Sequence, residues 1–447
     1  MQIILTVHTF FPRSAGGTEV YALALARQLD RQGHRVHIVT CDSNTEGDAP
    51  EVTSRSDSWQ GFQVERLSFN LLRSPNPVRY DYDNQHVARF LGALYRRERP
   101  DLVHVCHPGN LSMAVITAAS ESNIPTVLTA TDFWTICPTS QLLRHDRVLC
   151  SGPRDPAHCL VCTVRQRASA ARIRRWIDPV PIPLLRWGMR LARQPWASHS
   201  SRYARMARAL AERPGWIRTV LASTGRIISP SRFLRDRLVD NGVPADRITV
   251  SAHGIETDWL EPKPGYKLPA GPVRFATVGQ LSWHKGVHLA VQAFGKLDRP
   301  AGAVLTLYGD NRQDPDYWRE LQGLMHRTPL VEFGGSFPHR DLARVLSDVD
   351  VLLMPSLWYE NTPTIMYEAF ATQTPAIATS IGGMAELIAD SDGGWTFPRG
   401  DVEALASRMQ GLIDDSAELD RARRRIRPVR TIQEHVTDVL SIYRELI

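Results

Sequence analysis

The chain is 447 residues long, with 53 Lys+Arg against 47 Asp+Glu, and 43% of it is hydrophobic. At roughly 100–200 residues per domain, this length predicts two or three domains, each able to bury a core. The charged fraction of 22% excludes wholesale disorder, and six cysteines are too few for a disulfide-built scaffold. No apolar run reaches the roughly 18 residues of a membrane-crossing helix. The opening MQIILTVHTF has neither a basic stretch nor a small-residue cleavage site, so it reads as a strand and not a signal peptide. The expectation is a cytoplasmic, multidomain globule.

From the first residue, strands and helices alternate. Gln2–His8 is a continuous apolar run, as a buried parallel strand requires. The loop SAGGTE (14–19) follows, where Gly16 and Gly17 permit close approach of a ligand to the backbone; it is not GxGxxG, so a dinucleotide site is not indicated. A helical pattern from about Val20 to Gln32 is closed by Gly33. Arg35–Cys41, DLVHVC (101–106) and TVLTAT (126–131) are further β-rich runs, so this half reads as a doubly wound α/β sheet. His107 stands at the exit of the DLVHVC strand.

Cys137, Cys150, Cys159 and Cys162 fall in a loop-like stretch with the spacing C-x12-C-x8-C-x2-C. The terminal CLVC has the reach of a zinc knuckle, yet a lone CxxC among small buried thiols is equally ordinary. Residues 163–218 then hold thirteen Arg and no Lys against Asp178 and Glu212, a net +11, so the rest of the chain sums to −5. Trp176, Trp187, Trp196 and Trp216 are interleaved with these arginines, and prolines at 179, 181, 183 and 195 break the segment into short pieces. On a helix through 184–193, Leu184, Trp187 and Leu191 share one face and Arg186, Arg190 and Arg193 the opposite one. Such a helix lies either in an anionic membrane surface or against its own domain with a solvated Arg face.

A second βα rhythm follows: a helix between Ser229-Pro230 and Asn241-Gly242, then ITVSAHG, VRFATVG (273–279), AVLTLYG (303–309), LVEFGG (330–335), DVLLMPS (350–356) and PAIATS (375–380). The loop GQLSWHKG (279–286) leaves Lys285 free to reach a phosphate. In SLWYENTPTIMYEAFA (356–371), Thr362-Pro363 reads as an N-cap and N1 pair. That puts Glu360 in the loop at a strand's carboxyl end and Glu368 about a turn and a half into the helix. Ligands of open α/β sheets bind at that edge, and two carboxylates there can grip sugar and ribose hydroxyls, although two glutamates eight apart also arise by chance.

Taken together, FFPRSAGGTE, HGIE, GQLSWHKG, the EX7E in ENTPTIMYE and GGMAELI resemble the retaining nucleotide-sugar glycosyltransferases of glycosyltransferase family 4. The resemblance implies a GT-B architecture, two Rossmann-like doubly wound domains facing a cleft. Residues 1–225 would form the acceptor-side domain, with the Cys-rich loop 137–162, the basic insert 163–218 and a C-terminal helix 431–447 packing back on it; residues 226–430 would form the donor domain. It implies that Glu368 binds the donor ribose and Glu360 the donor sugar, while Lys285 neutralises the pyrophosphate. Backbone N–H groups near Asn361, Thr362 and Thr364 would hold phosphate or sugar oxygens, Gly16 and Gly17 would approach from the opposite domain, and His107 would contact the donor sugar. Two departures stand out: Gln280 replaces the family's usual Arg at the donor site, and Asp310 replaces a second glycine after strand 303–309.

The expected reaction is retaining transfer of a sugar to a glycan or lipid-linked acceptor in cell-surface polysaccharide assembly. No cofactor and no catalytic metal are expected, because Lys285 and a helix N-terminus can stabilise the leaving diphosphate. The expected location is cytoplasmic, peripheral on the inner membrane face through 163–218. Gln280 and Asp310 leave open a non-catalytic nucleotide-sugar-binding or scaffold subunit. A GT-B-fold epimerase is a lesser alternative, and nucleic-acid binding lacks any reading helix.

Overall fold

The computed structural model describes residues 1–166, 171–192, 194, 201–260, 271–298 and 302–447. They form two compact units, Met1–Ala252 with Ile432–Ile447, and His253–Thr431. Among the described residues no helix is long and apolar enough to cross a membrane.

The first unit is built on eight strands: β1 (Gln2–Val7), β2 (Arg35–Ser43), β3 (Thr53–Trp59), β4 (Phe62–Ser68), β5 (Leu102–Val105), β6 (Thr126–Thr129), β7 (Arg226–Ser229) and β8 (Ile248–Val250). Their order is β3-β4-β2-β1-β5-β6-β7-β8, parallel throughout except for the β3–β4 hairpin at one edge. The hairpin was not foreseen from the sequence; β3 reads TSRSDSW, polar along its length, as suits an exposed edge strand. The unit boundary lies after Ala252 and not at 225. Strand β7 hydrogen-bonds to β6 and β8 to β7, so 226–250 completes the first sheet instead of opening the second.

Helices α1 (Gly17–Arg31), α2 (Pro77–Tyr82), α3 (Gln85–Glu98) and α4 (Ala114–Glu121) connect the early strands. They are followed by α5 (Pro156–Gln166), α6 (Ala171–Ile177), α7 (Ile182–Ala192), α8 (Arg202–Ser223) and α9 (Arg232–Asp240). The last helix of the chain, α17 (Ile432–Leu446), belongs to this unit, as the resemblance implies. Its Val436, Val439 and Tyr443 enter the same core as Leu25 and Leu29 of α1 and Leu5 of β1. Two buried polar links fix the docking: Tyr21 Oη meets His435 Nε2 at 3.0 Å, and Tyr443 Oη meets His104 Nδ1 at 2.5 Å.

The second unit holds β9 (Val273–Val278), β10 (Ala303–Tyr308), β11 (Val331–Gly335), β12 (Val351–Met354), β13 (Ala376–Thr379) and β14 (Gly394–Phe397). The order β11-β10-β9-β12-β13-β14 is all parallel, the 3-2-1-4-5-6 arrangement of a Rossmann sheet. Its helices are α10 (Val287–Phe294), α11 (Pro315–Met325), α12 (Leu342–Ser347), α13 (Thr364–Ala371), α14 (Gly382–Ser391), α15 (Val402–Asp414) and α16 (Ser416–Arg425). The near-continuous apolar strands VLLM and AIAT are buried because helices cover both faces of such a sheet. Both units are therefore doubly wound α/β, the expected class.

Candidate functional site

In an open parallel sheet, the loops leaving the two strands on either side of the order reversal diverge and leave a crevice at their carboxyl ends. In the second unit that point lies between β9 and β12, and the loops concerned are 279–286 and 355–363. In the first unit it lies between β1 and β5, whose exits carry His8, Gly16, Gly17 and His107. The sequence-derived candidates thus gather at a switch point in each unit.

Within the second unit, Lys285 Nζ lies 2.6 Å from Glu360 Oε1. Glu360 is buried, and the same oxygen accepts from Trp358 Nε1 at 2.8 Å and Ser356 Oγ at 3.0 Å. Burial alone would raise this carboxyl, but the Lys285 charge and the hydrogen bonds from Lys285, Trp358 and Ser356 outweigh it and hold Glu360 below the usual carboxylate range. Lys285 also sits 5.3 Å from the centre of the Trp358 ring, a cation–π contact. His284 meets that ring edge-on at 4.7 Å, and burial, reinforced by the Lys285 charge, pushes it down to about 4, so it is neutral at physiological pH.

The two loops are joined at the backbone. Leu357 N–H donates to the His284 carbonyl at 2.7 Å, and Gly286, at φ +69°, lies so close that a Cβ there would stand 1.9 Å from the Pro355 carbonyl oxygen. A pair of glycines, Gly382 and Gly383, shapes the far side. Gly383 N–H donates to the Glu360 carbonyl at 2.8 Å, and a Cβ on Gly383 would fall 1.5 Å from the Asn361 carbonyl oxygen. The GG of GGMAELI lets the N-terminus of α14 press against the Glu360–Asn361 backbone.

Helix α13 begins at Thr364 with Pro363 as its N-cap and no side-chain cap bond, one residue later than the Thr362-Pro363 reading predicts. The Glu360–Asn361 backbone is held by α14, and Thr362 is not used as a cap. Thr362 and Thr364 are half-buried and Asn361 is buried. Glu368 is buried on α13, and its Oε1 pairs with His339 Nε2 at 2.7 Å. The bond to Glu368, against an opposing burial effect, raises His339 above its ordinary value. The His339 ring also packs on Trp259, 4.8 Å between centroids.

Of the two departures, Asp310 is locally neutralised: its carboxylate takes Arg312 Nε at 2.8 Å and Arg312 Nη2 at 3.0 Å. Gln280 is exposed in the loop after β9.

In the first unit, His107 is buried and its Nδ1 accepts from Gly109 N–H at 2.9 Å. That leaves Nε2 to carry the ring proton, facing Asp132 Oδ2 at 3.0 Å. His8 stacks obliquely on His107, 4.3 Å between centroids, and is pushed down to about 4 by burial and by His107. Its Nε2 lies 3.6 Å from Glu19 Oε1, a buried carboxylate that also accepts from Ser14 Oγ at 2.8 Å and from Thr9 Oγ1. Gly16 is the N-cap of α1 and Gly17 its first residue, both exposed.

Cys137, Cys150, Cys159 and Cys162 are free thiols that all line one cavity of about 190 Å³. Backbone N–H groups point at two of the sulfurs, His145 N to Cys162 Sγ at 3.3 Å and Gly152 N to Cys150 Sγ at 3.5 Å. Among the described residues no group of three or more His, Cys, Asp and Glu side chains stands ready to hold a metal ion.

Of the two placements open for 184–193, α7 does not show the one that packs Leu184 and Trp187 against its own domain, and Leu191 of the same face is half-buried. The residues it turns inward are Met189 and Ala192, with Leu185 half-buried, whereas Leu184, Trp187, Arg186 and Arg190 are all exposed. The helix packs on α5 and α8, and those neighbours select the Met189–Ala192 edge. Arg193 and Trp196 lie outside the described residues.

Sequence reasoning did not single out His8, Glu19, Asp132, Ser356, Trp358, His284 or His339 as site residues. Glu19, Ser356, Trp358 and His284 sit inside the quoted motifs, so proximity to the strand exits was the available signal. Asp132 and His339 come from loops after β6 and β11, with no local mark.

A family model described as Glycosyltransferase Family 4 matches residues 15–259, and one described as Glycosyl transferases group 1 matches residues 272–415. The Escherichia coli protein WcaL, named for colanic acid biosynthesis, is 31% identical over 193 residues, 41% of this chain and 46% of that protein. The amylovoran biosynthesis glycosyltransferase AmsK of Erwinia amylovora is 28% identical over 211 residues, 45% of this chain and 50% of that protein. The chain thus spans about half the length of the curated relatives it matches. The Anabaena protein HepE, solved with UDP-glucose, superposes with a TM-score of 0.62 at 16% identity over 99% of both chains, a likeness of fold. With a family model covering more than half of the chain and the expected motifs at both switch points, the chain belongs to glycosyltransferase family 4.

Proposed function

We propose that this protein transfers a sugar, with retention, from a nucleotide-sugar donor to a glycan or lipid-linked acceptor in cell-surface polysaccharide assembly, at the cytoplasmic face of the membrane. The observation that carries this reading is the part-buried Lys285–Glu360 pair at the switch point of the second Rossmann sheet. The names of the WcaL and AmsK relatives support the polysaccharide setting, and HepE with UDP-glucose supports the donor class.

Breaking the bond between sugar and diphosphate builds negative charge on the leaving group and positive charge at the anomeric carbon. Lys285 is the cation for the former, assisted by backbone N–H groups near Thr362 and Thr364, and this preorganised charge replaces a catalytic metal in the proposed mechanism. Glu360, ionised and held by Ser356 and Trp358, accepts from donor-sugar hydroxyls, and Glu368 accepts from the ribose. His107, with its proton on Nε2, contacts the donor sugar, and Gly16 and Gly17 admit the donor to the start of α1. Asp310 is no obstacle to an anionic donor, because Arg312 already occupies both of its oxygens.

The test is thermal shift against UDP-, GDP-, ADP- and dTDP-sugars without added metal, followed by acceptor-dependent nucleotide release. A ligand of the folded state raises the melting temperature by linkage. A shift with one donor that is lost in Glu368→Ala, and release that needs acceptor, supports transfer. A shift with no acceptor-dependent release supports the scaffold reading instead.

A further inference from the structure

We propose that the short helices α6 and α7 form a docking surface for an anionic lipid bilayer. The large hydrophobic side chains exposed among the described residues are few, and three of the nine lie here: Trp176 at 69%, Leu184 at 59% and Trp187 at 63%. Leu184 and Trp187 are three apart on α7 and so share a face. That face is not the one the protein covers: α7 rests on α5 and α8 through Met189 and Ala192. Helix α6 also rests on α5, leaving Trp176 outward.

An exposed apolar group alone would name no partner, and here the charge does. Arg174, Arg175, Arg186 and Arg190 are exposed on the same two helices, within a segment of thirteen Arg against two acids. Asp178 takes Arg165 and Arg174, and Asp155 takes Arg186, so the acids at hand answer only part of the charge. Arg175 lies 5.4 Å from the Trp176 ring centre, which keeps a cation beside an indole. An indole seeks the boundary between headgroups and acyl chains, and guanidinium groups seek lipid phosphates; the two interleaved on short, surface-lying helices fit an anionic interface. The breaks at Pro179 and Pro181 keep α6 and α7 separate, so neither is long enough to span a bilayer.

This surface would hold the enzyme beside a lipid-linked acceptor and in that sense rests on the proposed function. Vesicle binding is measured without donor or acceptor, so the two fail separately. The full chain is co-sedimented with vesicles of phosphatidylcholine alone and of equal phosphatidylcholine and phosphatidylglycerol. Binding to the anionic vesicles is expected to be at least about tenfold stronger and to weaken as salt rises. The triple variant Trp176→Ser, Leu184→Ser, Trp187→Ser is expected to lose roughly tenfold of that binding while keeping its melting temperature, since these side chains are largely exposed and contribute little to the core. Arg175→Gln with Arg190→Gln is expected to reduce the preference for anionic vesicles. Equal binding to both vesicles, binding to neither, or wild-type binding by the triple variant overturns the proposal. So does light scattering that shows a dimer dissolved by the triple variant, which would make the patch an interface between copies of this chain.

Discussion

Lys285 and Glu360, 75 residues apart in sequence, meet at 2.6 Å because the loops after β9 and β12 leave neighbouring strands at the point where the strand order reverses. The carboxylate is deeply buried and the ammonium about three-quarters so, side-chain exposures being 9% and 23%. Removing one partner of such a pair is far costlier than removing both, because it strands a charge.

Lys285→Ala is therefore expected to destabilise the protein by about 3 kcal/mol and to lower kcat at least about a hundredfold. Lys285→Ala with Glu360→Ala is expected to recover part of the stability and none of the activity. Chemical denaturation and donor-dependent turnover of both variants check this; wild-type-like turnover in Lys285→Ala would sink the site assignment.

The pair also fixes a pH dependence. Glu360 has its folded-state value depressed, so its stabilisation is present above the ordinary carboxylate range and lost as pH falls through the depressed value. The stability difference between wild type and Glu360→Gln is expected to be constant from pH 6 to 8 and to shrink only below about pH 4.5. An activity limb near pH 6 would then belong to another group.

His339 behaves oppositely. Its value is raised by Glu368, so its contribution is complete below about pH 6.5 and fades as pH rises through the raised value. The melting-temperature gap between wild type and His339→Gln is expected to be larger at pH 5.5 than at pH 8.5. A gap independent of pH would mean that the His339–Glu368 contact does not form in solution.

Gly286→Ala and Gly383→Ala each drive a methyl group into a carbonyl oxygen, of Pro355 and Asn361 respectively, and at Gly286 the backbone is left-handed as well. Both are expected to lower the melting temperature and weaken donor binding. Gly279→Ala is the control: its Cβ would meet nothing within 4 Å, so only the cost of φ +141° remains. If Gly383→Ala binds donor as the wild type does, the α14 contact does not shape the site.

Asp132→Ala removes the acceptor facing His107 Nε2 while Gly109 N–H still holds Nδ1. A fall in kcat of about tenfold with little change in donor affinity is expected if Asp132 positions the imidazole. A matching loss of affinity and no loss of kcat would assign Asp132 to binding alone.

The βα rhythm, the EX7E pair and the Lys285 loop were legible in the sequence because each is local: an apolar run, a turn and a helix start stand side by side in the chain. The first strand was equally plain from its continuous apolar run. Local reading could not reach the partners of those residues. His339 meets Glu368 and Asp132 meets His107 only because separate strands end at the same edge of a sheet. Likewise 226–250 carries the same βα pattern as the strands that follow it, and only hydrogen bonding to β6 assigns it to the first unit. In α7 the pattern was compatible with more than one inward face; Met189 and Ala192 went inward because α5 and α8 lie there, leaving Trp187 outside. Periodicity records which side chains prefer to be buried, whereas packing decides which of them find a surface to be buried against.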